Sequence, residues 1–254
     1  MVAPARPPLD STRLAEHGIG VLPATGSTNA VVADLARDGA PGWTVVVTEH
    51  QTAGRGRLDR TWDTPDRAAL TFSTLLRPSV AGGEWPWLPL LAGVAVAGAL
   101  REAGVPATLK WPNDVLIGGR KTAGILAERL ETPTGPAAVV GIGLNVHQRV
   151  DELPVPTATS VEHATGAAPD RTDLLLDILS RLRRQYDAWS VGGGAAVRPA
   201  YVAACETIGQ DVRVALPGDE DLTGPATDVD QVGRLVVAGR PIAAGDVVHV
   251  RPTE

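Results

Sequence analysis

From residue 27 to 38 the apolar positions Val31, Val32 and Leu35 fall on one helical face, with Ser27 or Thr28 placed to cap the start and Gly39 to end it. Residues 45–47 read as a strand. The 16 uncharged residues 85–100 fall short of the roughly 20 that span a bilayer and include Pro86, Pro89, Gly93 and Gly98, which predicts a buried core helix. Strands follow over 107–111, 115–117, 122–127 and 137–146, punctuated by Gly118-Gly119 and by a turn over 132–136, so the middle of the chain reads as mostly antiparallel sheet. Residues 150–168, rich in Pro, Thr and Ala, are expected to form a long loop. Leu175, Ile178, Leu179, Leu182, Tyr186 and Trp189 then recur every three or four residues, predicting a strong amphipathic helix. A short second helical stretch is expected between the glycines of 192–194 and Cys205. Beyond it the pattern changes to short β runs over 212–216, 222–228, 235–237 and 247–250, with turns at Pro217-Gly218 and Gly233, which suggests a small β-barrel. The first ten residues carry Pro4, Pro7 and Pro8 and no long apolar run, so they read as a loose lead-in and not as a signal peptide.

The 254 residues are too many for a single short module. They divide on this pattern into residues 1–205, an α+β unit with a mixed, largely antiparallel sheet packed with helices, and residues 206–254, the small barrel. An apolar share of 44% against 20% charged supports a globular core. The single cysteine, Cys205, excludes an internal disulfide and any Cys cluster for zinc, which points to a reducing, cytoplasmic setting. Net charge is −6, but residues 206–254 hold 9 acids against 4 bases, leaving the rest at −1. Neither part has the basic surplus of a nucleic-acid binder, so no specific nucleic acid and no membrane are expected as partners.

Several familiar motifs fail on inspection. Arg120 stands where a phosphate-binding Walker A loop needs Gly before Lys121-Thr122, and Val146 occupies the third glycine position of a dinucleotide fingerprint after Gly141-Ile142-Gly143. The five histidines lie far apart, with no metal-ligand spacing. What remains is the run Gln51-Thr52-Ala53-Gly54-Arg55-Gly56-Arg57-Leu58-Asp59-Arg60-Thr61-Trp62 after a strand. Its glycines let backbone N–H groups approach a ligand and its arginines offer forked donors, as a polyphosphate would require; a solvated surface loop and a single-stranded RNA contact are the other readings. Lys110-Trp111-Pro112-Asn113-Asp114 serves equally as an ordinary hairpin entry, Ser27-Thr28-Asn29 as a helix cap, and the run 141–145 as a plain buried strand.

Taken in order, five motifs spanning 26–146 resemble the biotin protein ligase family: Gly26-Ser27-Thr28-Asn29; Gln51 with Gly54-Arg55-Gly56-Arg57, Arg60 and Trp62; Lys110-Trp111-Pro112-Asn113-Asp114; Arg120-Lys121 with Ala123-Gly124-Ile125-Leu126; and Gly141-Ile142-Gly143-Leu144-Asn145-Val146. The resemblance implies a class II aminoacyl-tRNA synthetase-like catalytic domain followed by an SH3-like barrel. It implies an enzyme that joins biotin to ATP as biotinyl-5′-AMP, releases pyrophosphate, and transfers biotin to one lysine of a biotin carboxyl carrier protein. By the same resemblance Ser27, Thr28, Asn29, Gln51, Gly54, Arg55, Gly56, Arg57, Lys121 and Gly124 bind biotin, while Arg57, Arg60, Trp62, Asn113, Lys121 and Asn145 bind ATP. Lys121, Arg55 and Arg57 are the implied catalytic residues, and Asp114 the implied ligand of a Mg²⁺ that accompanies ATP. The residue types suit the chemistry, because a carboxylate attacking the α-phosphate needs fixed cations around that phosphate.

Asp59 departs from the glycine common at its place in the family and sets a negative charge among the arginines. The first motif begins at Gly26, which implies the monofunctional type, monomer or homodimer, without the N-terminal DNA-binding domain of some members. Two other readings stay open: a non-catalytic biotin or nucleotide sensor, which would not need Lys121 and the loop arginines, and a lipoate or octanoate ligase, whose family lacks the Gly-Arg-Gly-Arg loop.

Overall fold

The structure, a computed structural model, describes residues 6–57, 60–216, 221–243 and 245–249. Asp59, the Pro217-Gly218 turn and Val250 lie outside the described residues. The first part of the chain runs α1 (Ser11–Glu16), β1 (Gly20–Leu22), α2 (Thr28–Arg37), β2 (Val45–Thr48), β3 (Gly54–Arg55), β4 (Thr61–Trp62), β5 (Ala69–Leu76), α3 (Trp87–Glu102), β6 (Ala107–Lys110), β7 (Asp114–Ile117), β8 (Arg120–Thr132) and β9 (Gly135–Asn145). There follow α4 (Val161–Thr165) and α5 (Arg171–Ala204), then β10 (Asp211–Ala215), β11 (Asp221–Val229), β12 (Leu235–Val237), β13 (Arg240–Ile242) and β14 (Asp246–His249).

Seven strands form one sheet in the order β1-β2-β5-β9-β8-β7-β6. Only β1 and β2 are parallel in it, as the mostly antiparallel reading of the chain anticipates. Alternation along these strands builds two unlike faces. On one, Leu70, Phe72 and Leu76 of β5, Ile125 of β8 and Val140, Ile142 and Leu144 of β9 join a large core with α3 and α5. On the other, Val139 of β9 and Leu75 of β5 pack with Val32 and Ala36 of α2, and farther along lie Gly124, Gly141, Gly143 and Ser73.

The central strand β5 is the main element the periodicity does not reveal. All eight of its residues are buried, so neither the alternation of a half-exposed strand nor a helical repeat is available to mark it. The loop expected over 150–168 is more ordered than its composition suggests: a 3-10 turn spans Val150–Glu152, and α4 is capped by Ser160, whose hydroxyl accepts from the His163 N–H at 3.1 Å. As expected, two helical stretches meet in the glycines of 192–194: Gly193, with φ 60° and ψ −161°, is not helical, so α5 consists of two helices joined across a kink. Among the described residues no helix is long and apolar enough to cross a membrane.

The remaining strands make a five-stranded antiparallel sheet, β13-β12-β11-β10-β14, including one strand, β13, that the sequence pattern does not mark. Its β11–β12 turn is tied to the main core: the Trp87 indole N–H donates to the Gln231 carbonyl at 2.8 Å and the Trp111 indole N–H to the Gly233 carbonyl at 3.1 Å. Asp230 organises that turn by accepting from the N–H groups of Val232 and Arg234 and from the Arg234 guanidinium. Burial alone pushes the Asp230 carboxyl up, but these donors outweigh it and hold it below the usual carboxylate value.

Candidate active site

The N-terminus of α2 lies over the glycine-bearing face of the sheet. Ser27 is its N-cap, with Oγ 3.4 Å from the Ala30 N–H it accepts from. Thr28 and Asn29 are buried. The Thr28 N–H donates to Gln51 Oε1 at 2.9 Å, and the Thr28 hydroxyl lies 3.2 Å from the same oxygen. Ser73 of β5 reaches both neighbours, its Oγ 2.7 Å from Thr28 Oγ1 and 2.6 Å from Asn29 Oδ1. Asn29 Nδ2 donates to Glu128 Oε2 at 2.5 Å, and the other oxygen of Glu128 is 3.2 Å from the Arg55 guanidinium.

The Arg/Gly run folds as a hairpin in which Gly54 pairs with Trp62 and Arg55 with Thr61. The Gly56 N–H donates to the Arg60 carbonyl at 2.6 Å, and Arg57 donates to Asn113 Oδ1 at 3.0 Å. Three glycines receive this hairpin. A β-carbon on Gly54 would lie 2.2 Å from Gln51 Nε2 and from the Trp62 carbonyl oxygen, and one on Gly143 only 2.4 Å from the Trp62 ring. On Gly124 it would meet Trp62, Lys121 Cε and Lys121 Nζ, each at 3.3 Å. The Trp62 indole therefore rests on a floor of glycine beside the Lys121 ammonium, and its buried N–H has no hydrogen-bond partner among the described residues.

Lys121 and Asp114 face each other across the β7–β8 hairpin, Nζ to Oδ1 2.5 Å, both half-buried. The segment after the Val150–Glu152 turn holds the lysine's backbone, since the Lys121 N–H donates to the Thr157 carbonyl and the Lys121 carbonyl accepts from Thr159. Asn113, after the cis Trp111-Pro112 bond, uses its amide to bridge Arg57 and the Ile125 carbonyl, and with Arg57 it lines a cavity of about 170 Å³ that extends to Gly233 and Ala243 of the C-terminal sheet. A larger hollow of about 510 Å³ opens around Trp43 and Leu179 and contains none of the motif residues. Asn145 is buried just past this region, its amide engaged by the Thr159 carbonyl and the Gln148 side chain.

The structure thus brings Thr28, Asn29, Gln51, Arg55, Trp62, Lys121, Gly124 and Gly143 together on one face of the sheet, while the motif residues Trp111, Ile125, Ile142 and Leu144 belong to the core. Ser73 and Glu128 belong to the same cluster and are not legible in the sequence, where one is a hydroxyl within an apolar run and the other an ordinary charge on a long strand. No cluster of three or more His, Cys, Asp or Glu able to hold a metal exists among the described residues. A Mg²⁺ that stays mostly hydrated and arrives with nucleotide phosphates needs no such cage, and one carboxylate such as Asp114 fits it.

Two family models match the chain: the Biotin/lipoate A/B protein ligase family over residues 21–145, and the Biotin protein ligase C terminal domain over 207–250. The chain is 42% identical to the biotin–(acetyl-CoA-carboxylase) ligase of Mycobacterium tuberculosis, over 97% of both proteins. It is 35% identical to the bifunctional ligase/repressor BirA of Bacillus spizizenii, over 83% of this chain and 66% of that protein. Among solved structures it is similar to the biotin protein ligase from Aquifex aeolicus in complex with biotin and ATP, with a TM-score of 0.77, 28% identity, and 92% and 98% of the two chains covered. With these motif residues gathered on one sheet face and a relative matched from end to end, the chain belongs to the biotin protein ligase family.

Proposed function

We propose that the chain is an ATP-dependent biotin protein ligase, which activates biotin as biotinyl-5′-AMP with release of pyrophosphate and then transfers it to a lysine of a biotin carboxyl carrier protein. The observation that carries this reading is the meeting of Lys121, Trp62, Gly124 and Gly143 at one spot beneath the α2 N-terminus. Residues 1–205 form the catalytic domain and 206–254 the C-terminal domain. The match of a C-terminal biotin ligase model over 207–250 disfavours a lipoate or octanoate ligase, and the cations kept around the site disfavour a sensor without turnover.

In the first step a biotin carboxylate oxygen forms a bond to the α-phosphorus and the bond to the pyrophosphate oxygen breaks. Both reactants are anionic, so their approach depends on fixed positive charge. Lys121, held by Asp114, takes the carboxylate and then the acyl-phosphate oxygens; Arg55, Arg57 and Arg60 are the hairpin's cations for the phosphates, and reaching them requires Arg55 to leave Glu128 and Arg57 to leave Asn113. The bicyclic ring lies beside Gly124 and the Trp62 indole, and Thr28 and Gln51 pair its ureido edge, which would otherwise be buried without partners. Asn113 and Asp114 are assigned to the phosphates, and Asp114 would hold a Mg²⁺, which would neutralise phosphate charge when bound with the nucleotide. In the second step the acceptor amine must lose a proton, since a lysine with its reference pKa of about 10.4 is almost wholly protonated at neutral pH. Asp114, paired with Lys121 and free of Mg²⁺ once pyrophosphate has left, would receive that proton; desolvation of the amine is the other route to the neutral nucleophile.

Biotin-dependent exchange of labelled pyrophosphate into ATP tests the first step, and incorporation of labelled biotin into a carrier domain tests the second. Exchange that requires biotin, and that lipoate or octanoate does not replace, is the expected result. Absence of exchange, or exchange driven by lipoate, contradicts the proposal.

A further inference from the structure

Beneath Thr28 and Asn29 a row of polar atoms runs from the sheet surface into the core: Glu128, Asn29, Ser73 and Thr28, joined by contacts of 2.5, 2.6 and 2.7 Å. The direction of every hydrogen bond in this row follows from counting protons. Glu128 is paired with Arg55 and can only accept, so the Asn29 amide must turn its NH₂ to the carboxylate and its Oδ1 to Ser73. Oδ1 can only accept, so Ser73 must be the donor, and its proton is shared between Asn29 Oδ1 and Thr28 Oγ1. Thr28 Oγ1 accepts from Ser73 at 2.7 Å, so the Thr28 proton is turned away from the core. It goes to Gln51 Oε1 at 3.2 Å, whose second lone pair takes the Thr28 N–H at 2.9 Å. The Thr28 oxygen is left to the site with a lone pair only.

We infer that Glu128, Asn29 and Ser73 form a hydrogen-bond chain that fixes Thr28 Oγ1 as an acceptor, which makes Ser73 and Glu128 positioning residues for recognition of a ring N–H on the substrate. This inference rests on the reading above, in which Thr28 faces the ureido ring of biotin; that ring carries two N–H donors beside its carbonyl. Ser73 is fully buried on the central strand and cannot touch the substrate, because Thr28 and Asn29 cover it. Gly141 makes the chain possible, since a β-carbon there would come within 2.0 Å of Asn29 Oδ1. Glu128 also couples the chain to the hairpin, because the oxygen not used by Asn29 holds Arg55.

The test is steady-state pyrophosphate exchange by the full chain with biotin and ATP as probes, for Ser73→Ala and Glu128→Ala, each alone and combined with Thr28→Val. Ser73→Ala is expected to raise the KM for biotin tenfold or more while kcat and the KM for ATP stay within twofold, a split that general damage to the fold does not produce. In the Thr28→Val background, where no hydroxyl remains to orient, Ser73→Ala is expected to add less than twofold, and Glu128→Ala no more than Arg55→Ala adds there, because Glu128 also holds Arg55. If Ser73→Ala does not fold, Glu128→Ala, at the surface end of the chain, carries the same comparison. Unchanged biotin KM in the single variants, or a full multiplicative effect on top of Thr28→Val that Arg55→Ala does not match, overturns the hydrogen-bond chain alone. A wild-type protein without biotin-dependent exchange overturns the underlying reading instead.

Discussion

The two faces of the seven-stranded sheet use the same strands for opposite purposes. On β9, Val140, Ile142 and Leu144 enter the core with α3 and α5, while the residues between them, Gly141 and Gly143, leave room for Asn29 and Trp62. On β8, Ile125 joins that core and Gly124 lies under Lys121 and Trp62. One face is filled to exclude everything but itself, and the other is cleared of β-carbons so that Asn29 and the Trp62 ring can lie against backbone beside Lys121. A period of two therefore separates stability from chemistry with no separate scaffold needed. Substitutions on adjacent residues are expected to fail in different ways.

The largest effect is expected on the cleared face. Lys121→Ala removes the cation beside Asp114 and the reacting carboxylate, a charge-assisted contact worth about 3 kcal/mol, or roughly 100-fold in the rate of biotinyl-AMP formation. Single-turnover assays beside thermal melting check this; a wild-type rate with an unchanged melt takes Lys121 out of the mechanism. A smaller effect is expected where the C-terminal sheet meets the filled face. Asp230→Ala strips the acceptor from two turn N–H groups and loosens the carbonyls that Trp87 and Trp111 grip, so it is expected to cost about 1–3 kcal/mol by denaturant unfolding and to leave the KM for biotin unchanged.

The smallest effect is a pH dependence. Burial, reinforced by nearby Lys110 and opposed by Glu206, holds His249 below the ordinary histidine value. A folded-state pKa below the unfolded one means that the stabilisation is complete above about pH 6.5 and is lost as pH falls from there through the folded value. The melting temperature is expected to decline from pH 7.5 to 5.5, and His249→Gln to flatten that decline. An identical decline in the variant removes His249 as its source.

Sequence pattern made the amphipathic helix of Leu175 to Trp189 and the short C-terminal strands legible, because each exposes one side and so carries a period, while β9, buried almost throughout, was legible as an apolar run bounded by the turn over 132–136. It was silent on β5, buried on both sides, and therefore on Ser73. The candidate site was legible as residue types in order, Gly26-Ser27-Thr28-Asn29 through Asn145, but not as contacts. That Trp62 settles on Gly124 and Gly143, and that Glu128 joins Asn29 to Arg55, depends on strand register, which composition and spacing do not fix.

The contrast between the faces is tested most directly by single-turnover biotinyl-AMP formation, measured per folded molecule for Ile142→Ala and Gly143→Ala. Ile142→Ala opens a cavity in the filled face; it is expected to lose roughly 2–5 kcal/mol of stability and to keep the wild-type rate. Gly143→Ala pushes the Trp62 ring off its floor and is expected to keep most of its stability while losing about 100-fold in rate, the scale of an ångström-sized misplacement. A Gly143→Ala protein that forms the adenylate at the wild-type rate, or an Ile142→Ala protein slowed as much as its neighbour, would contradict the division of the sheet into a face for folding and a face for chemistry.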